Sequence, residues 1–148
     1  MNSGQFHIIL ADDDEDDCIL FEDALNEFPL SIRFTIVHNG EQLMEELGKT
    51  KERLPDLLFL DLNMPRKNGF ECLAEIKQDE KLKHLPVIIL STSLENDVIN
   101  LLYKKGAQYY LRKPNEFSKL RKAIHQVLTN VTQASPSQPP KEKFVLSQ

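Results

Sequence analysis

The sequence predicts an α/β fold, a doubly wound five-stranded parallel sheet with helices on both faces. Three observations predict it. Short, continuous apolar runs such as Phe6-His-Ile-Ile-Leu-Ala11, Leu57-Leu-Phe-Leu60 and Val87-Ile-Ile-Leu90 suit strands buried on both faces. Each run is followed by a segment of helical period, so strand and helix alternate along the chain and the connections suit parallel crossovers. Finally, the runs end in polar groups: Asp12 and Asp13, Asp61, Ser91 and Lys113. In open parallel sheets, ligands gather beyond the carboxyl ends of the strands.

The elements follow in order. A strand over 6–11 runs into the acidic stretch Asp12 to Asp17. Asp14 is the expected N-cap of a first helix, and Glu15, Asp16 and Asp17 are placed as a solvated, dipole-favourable helix start. Ile19, Leu20, Phe21, Ala24, Leu25 and Phe28 then recur at helical spacing until Pro29. A β-branched run over 32–37 is the second strand, and Asn39-Gly40 turns the chain into a short helix over 41–47. The third strand spans 56–61, Pro65 and Gly69 punctuate its loop, and a helix follows over 70–77. The fourth strand, 86–90, leads to Ser91-Thr92-Ser93 and a helix over 95–105 with Val98, Leu101 and Leu102 facing inward, stopped by Gly106. The fifth strand, 107–111, runs into Arg112-Lys113-Pro114 before a last helix over 117–128. Tyr109 and Tyr110 are neighbours on that strand, so they face opposite sides.

At 148 residues with 41% hydrophobic residues, the chain supports one domain with a proper core. The net charge of −5 argues against nucleic acid as a partner, which calls for a clustered basic surface. Cys18 and Cys72 form no CxxC and read as small reduced core residues. No apolar run approaches the roughly 20 residues of a membrane span, and the start has no signal-peptide pattern. The expected location is the cytoplasm, away from membranes. His7, His38, His84 and His125 share no spacing and receive no metal or catalytic role.

The strand ends bring Asp12, Asp13, Asp61, Ser91 and Lys113 to one small space. Crowded carboxylates repel, and a hard divalent cation relieves the repulsion; Mg2+ prefers one or two carboxylates with water and phosphate oxygens. With Lys113 and the Ser91 hydroxyl, such a site would neutralise a phosphoryl group in transfer, with Asp61 as nucleophile forming an acyl phosphate.

Asp12-Asp13, Asp61-x-x-Met64-Pro65-x-x-x-Gly69, Ser91 after its strand and Lys113-Pro114 together resemble the receiver domain of bacterial response regulators. The resemblance covers about 6–131 and implies a flavodoxin-like three-layer fold with strand order 2-1-3-4-5. It further implies that Asp61 accepts a phosphoryl group from the phosphohistidine of a histidine kinase or phosphotransfer protein. Asp13, Asp61 and the backbone carbonyl of Asn63 would hold Mg2+, and Asp12 would act through water. Lys113 would bind a phosphoryl oxygen and Ser91 would move to bond the group. Tyr110 would be the switch aromatic, turning inward as Ser91 moves. The peptide before Pro114 is expected to be cis. Thr92 stands where the family often has a smaller alanine. The wording around Asp61 and the short chain also resemble single-domain, chemotaxis-regulator-like members, including those paired with phytochrome-type or hybrid kinases.

The expected organisation is a receiver over 6–131 and a Pro/Ser-containing tail over 132–148, for which an extended, untethered terminus is preferred over the alternative that Phe144, Val145 and Leu146 dock on the domain or a partner. Output is expected by contact with an unidentified downstream protein, and a homodimer through helix four, strand five and helix five is compatible with it. The competing reading is a Mg2+-dependent phosphohydrolase with an aspartyl nucleophile. Such enzymes commonly carry a second acid two residues on, where this chain has Asn63.

Overall fold

The computed structural model describes residues 5–49, 54–113, 116–133 and 138–146. The elements are β1 (Phe6–Ala11), α1 (Glu15–Asn26), β2 (Ile32–Val37), α2 (Gly40–Lys49), β3 (Leu57–Asp61), α3 (Gly69–Gln78), β4 (Val87–Ser91), α4 (Asn96–Lys104), β5 (Tyr109–Arg112) and α5 (Phe117–Gln133). A 3-10 turn at Lys141–Lys143 and β6 (Val145–Leu146) follow. The sheet is parallel throughout, in the order β2-β1-β3-β4-β5-β6.

The fold class agrees with the sequence reading, but the sheet has six strands where five were expected. The sixth comes from the tail. A two-residue strand is too short to show period-2 patterning, yet its backbone satisfies the otherwise open edge of β5.

Alternation along the central strands splits the core into two layers. Ile9, Leu58, Leu60, Val87, Ile89 and Tyr110 pack under α2, α3 and α4, together with Phe144. Ile8, Leu10, Leu57, Phe59, Ile88, Leu90 and Leu111 pack under α1 and α5, together with Leu146. There the Phe21 and Phe59 rings meet edge to face at 5.0 Å. Both cysteines are free and buried, Cys18 in the α1/α5 layer and Cys72 in the other. Burial pushes their thiols up, to about 12 and about 11, with the neighbouring acids adding to the rise at Cys18.

Two helix faces differ from expectation. On α4 the inward residues are Ile99 and Leu102, while Leu101 is 42% exposed. On α1, Ile19 is 57% exposed. In both cases adjacent apolar residues left the helical phase ambiguous, and packing chose the stripe.

The loops that frame the strand ends are pinned locally. Asp14 caps α1 by accepting from the backbone N–H groups of Asp16 and Asp17. Asn68 and Glu71 form a capping box at the start of α3, which the sequence reading missed. Gly69 is required by close approach: a Cβ there would lie 2.6 Å from the Asp61 carbonyl oxygen and 2.8 Å from Leu62 Cα. The start of α3 thus presses directly on the end of β3. Gly106, at φ +98°, ends α4 in the left-handed region.

Candidate functional site

The site is built where β1, β3, β4 and β5 end. Asp61 is the last residue of β3 and is 4% exposed. Its Oδ1 accepts from the Asn63 backbone N–H at 3.2 Å and its Oδ2 from Lys113 Nζ at 3.2 Å. Asp12, immediately after β1, is fully buried, and its Oδ1 accepts from the Asp14 backbone N–H at 3.0 Å. Ser91 closes β4, and its buried Oγ accepts from the Ser93 backbone N–H at 3.1 Å. Lys113 follows β5 in register, its own N–H donating to the Ser91 carbonyl at 2.9 Å.

Lys113 gathers the acids. Its Nζ lies 2.9 Å from Asp17 Oδ2, 3.1 Å from Asp12 Oδ2 and 3.2 Å from Asp61 Oδ2. Burial alone would lower its pKa, but Asp17, Asp61 and Asp12 together outweigh burial and hold the amine above the ordinary lysine value. One ammonium nevertheless faces three carboxylates, with the exposed Asp13 beside them. Burial pushes the Asp12 carboxyl up to about 7, and the charge of Asp61 adds to the rise, while the Asp14 N–H and Lys113 pull it back.

Asp17 is the residue the sequence reading misplaced. The sequence groups it with a solvated helix start, yet its carboxylate is an ion-pair partner of Lys113. The signal was its position four residues before the buried Phe21, which puts both on one face of α1. Glu15 and Asp16 are exposed, as expected.

The donor set fits a hard divalent cation. Asp12 Oδ2 is buried and accepts no hydrogen bond, its approach to Lys113 Nζ being an ion pair without hydrogen-bond geometry. One carboxylate oxygen each from Asp12, Asp13 and Asp61 lies within 4.8 Å of the others. A buried, incompletely satisfied carboxylate oxygen in an all-oxygen cluster is the chemistry that Mg2+ and Mn2+ take. Asn63 is exposed beside this cluster. The expected cis peptide at Pro114 lies outside the described residues.

Tyr110 is fully buried and turned inward, its hydroxyl donating to the Ser93 carbonyl at 2.7 Å. Tyr109 faces the other side, in the layer of α5. No helix among the described residues is long and apolar enough to cross a membrane.

A parallel sheet in this order, with an acid cluster, a central carboxylate, a hydroxyl and a lysine at its strand ends, defines the receiver class of signalling switch. Residues 8–125 match the response regulator receiver domain, and the chain belongs to that family of two-component signalling proteins. It is 33% identical over 124 residues to response regulator Rcp1 of Synechocystis sp., with 81% of this chain and 84% of that protein covered. The crystal structure of the phosphorylated cyanobacterial phytochrome response regulator RcpA superposes with a TM-score of 0.81 at 32% identity, covering 87% of this chain and 95% of that one. The Mn2+-bound form of Rcp1 gives 0.78 at 30% identity, covering 90% and 99%. The likeness to phytochrome-linked regulators is thus found in the relatives as well as in the wording around Asp61.

Proposed function

We propose that Asp61 is the phosphoacceptor of a phytochrome-linked or hybrid-kinase phosphorelay in the cytoplasm, and that the phosphoryl group comes from the phosphohistidine of a histidine kinase or phosphotransfer protein. The observation that carries this is the Asp61 carboxylate itself. It is buried at a strand end, with Lys113 on one oxygen and a backbone N–H on the other. In the transfer, a carboxylate oxygen of Asp61 forms a bond to phosphorus as the phosphorus–nitrogen bond breaks, and the electron pair leaves with the imidazole. Lys113 then partners a phosphoryl oxygen, and the Ser91 hydroxyl, released from the Ser93 N–H, donates to another.

Asp12, Asp13, Asp61 and the backbone carbonyl of Asn63 would hold Mg2+, with Asp12 acting through water. The ion would supply charge neutralisation on the phosphoryl oxygens. The chain's own residues position the acceptor and hold its charge. Output is by contact with a downstream protein through the surface around α4 and β5. No observation favours the phosphohydrolase reading: Asn63, which replaces the expected second acid, has no ionisable group to serve as one.

The test is incubation with a small phosphodonor such as phosphoramidate and Mg2+, beside Asp61→Asn. Wild type is expected to gain one hydroxylamine-labile phosphoryl group, and the variant none. The same label on the variant would overturn the assignment.

A further inference from the structure

Lys113 is held from two sides, from the acid pocket and from α1. Its Nζ donates to Asp61 Oδ2 at 3.2 Å on the pocket side and to Asp17 Oδ2 at 2.9 Å on the helix side. Asp12 Oδ2, at 3.1 Å, is an ion-pair contact without hydrogen-bond geometry. The Asp17 bond is the shortest of the three. Burial would lower the pKa of the amine, and the Asp17 hydrogen bond is the largest of the influences that raise it instead.

Both ends of that bond are fixed. Asp17 lies in the first turn of α1, where the Asp14 cap sets the start of the helix and the buried Cys18 and Phe21 seat it on the sheet. The backbone of Lys113 is tied to β4, its N–H donating to the Ser91 carbonyl at 2.9 Å. A hydrogen bond between residues 96 positions apart therefore joins α1 to the end of β5.

The chemistry divides the acids around the amine. One oxygen each of Asp12, Asp13 and Asp61 comes within 4.8 Å of the others, as a shared cation requires, and Asp17 stands outside that group. Asp61 gives up its charge when it becomes an acyl phosphate. Of the three carboxylates facing Lys113, Asp17 alone is claimed by neither the ion nor the phosphoryl group. Lysine is a point charge on a flexible four-carbon stem. An ammonium held by Asp61 alone would be let go when Asp61 is converted.

We propose that Asp17 is a positioning residue for phosphoryl transfer: from α1 it anchors the Lys113 ammonium while that ammonium exchanges its bond to Asp61 for one to a phosphoryl oxygen. The ammonium has three protons to give. One stays on Asp17, and two are left for the pocket. Asp17 acts through Lys113 and touches neither the phosphoryl group nor the ion. This rests on Asp61 being the phosphoacceptor.

The test compares full chains of wild type, Asp17→Asn and Asp17→Ala with phosphoramidate and saturating Mg2+, reading phosphoryl uptake by intact mass. Both variants lose a charge that also favours the α1 dipole. Asparagine keeps an acceptor oxygen at the same reach, and alanine, the best helix former, keeps α1 folded. Asp17→Ala should slow uptake about tenfold and Asp17→Asn no more than about threefold, both short of the roughly hundredfold that misplacing a reacting group can cost. The second readout is the Lys113 Nζ resonance in isotopically labelled protein, which is seen while the ammonium protons are held in hydrogen bonds. It should persist in phosphorylated wild type and Asp17→Asn, and vanish in phosphorylated Asp17→Ala. A wild-type chain that takes up no phosphoryl group overturns the phosphoacceptor reading and this role with it. A phosphorylated wild type beside an Asp17→Ala that is as fast or faster overturns the role alone, as does a Lys113 resonance that survives in phosphorylated Asp17→Ala. Equal slowing in the two variants assigns the effect to the charge of Asp17, and also overturns the role.

Discussion

The pocket at the strand ends and the edge of β5 are both places where the sheet holds something buried, and they do it by opposite means. In the pocket, Lys113 is set against Asp12, Asp17 and Asp61, and one oxygen of Asp12 goes without a hydrogen bond. At the β5 edge, Phe144 fills an aromatic socket while backbone and side-chain hydrogen bonds satisfy the polar groups around it. The first region is left short of positive charge and so answers to cations and protons. The second is chemically complete and answers only to shape. The pair teaches that the polar defect, not the well-packed surface, is where an input can enter.

The sharpest way to break this contrast is Lys113→Ala. Removing the cation that faces three acids should cost the metal-free protein about 3 kcal/mol, since uncompensated buried charge is left behind. The loss should be larger at pH 8 than at pH 5.5, where Asp12 can take up a proton, and much of it should return with added Mg2+. Urea unfolding at both pH values measures it.

Next in size is the acid itself. The folded-state pKa of Asp12, about 7, lies above its ordinary 3.8, so the folded form holds the proton more tightly than the unfolded chain does. The stability this group contributes is complete below about pH 3.8 and is lost as pH rises through about 7. Asp12→Asn should remove this dependence and raise metal-free stability at pH 8 by about 2 kcal/mol. Divalent-cation affinity of wild type should weaken as pH falls below 7, because metal and proton compete for the same oxygens; calorimetric titration across pH 5.5–8 reads this.

The β5 edge should give a smaller response. Phe144→Ala should cost about 1 kcal/mol or less in global unfolding, because residues 138–146 can lift off without leaving a cavity. The equally buried Phe21→Ala should cost about 3–5 kcal/mol. Equal losses at the two positions would mean that this segment is as integral as α1. Smallest of all, Leu101→Ser should stay within about 0.5 kcal/mol of wild type, whereas Leu102→Ala should not.

The strand ends were legible because each apolar run stops at a chemically distinctive residue. Five parallel strands lay open to inspection, and Asp12, Asp61, Ser91 and Lys113 converge as their positions implied. What escaped was whatever depends on long side chains or on weak local signals. Asp17 joined the site because one turn of α1 aims it along the Phe21 stripe, while its neighbours in the acidic run look identical in sequence. Leu101 was read as inward because Val98, Ile99, Leu101 and Leu102 fit two helical phases equally well. For the tail, docking of Phe144-Val145-Leu146 is legible as an alternative but not as a strand, because the run is too short to announce one; the hydrogen bonds that secure it come from Gln138 and Tyr103, far apart in the chain.

The two buried thiols have a practical consequence. A thiol reacts with an alkylating agent as the thiolate and only when exposed, and both groups here are buried with raised pKa values. Cys18 donates to the Asp12 carbonyl and Cys72 to the Gly40 carbonyl, one in each helical layer. The native chain therefore carries two silent clocks. Each starts only when its own layer opens, and following both labels by mass times the breathing of the two sides of the sheet independently, with no engineered reporter.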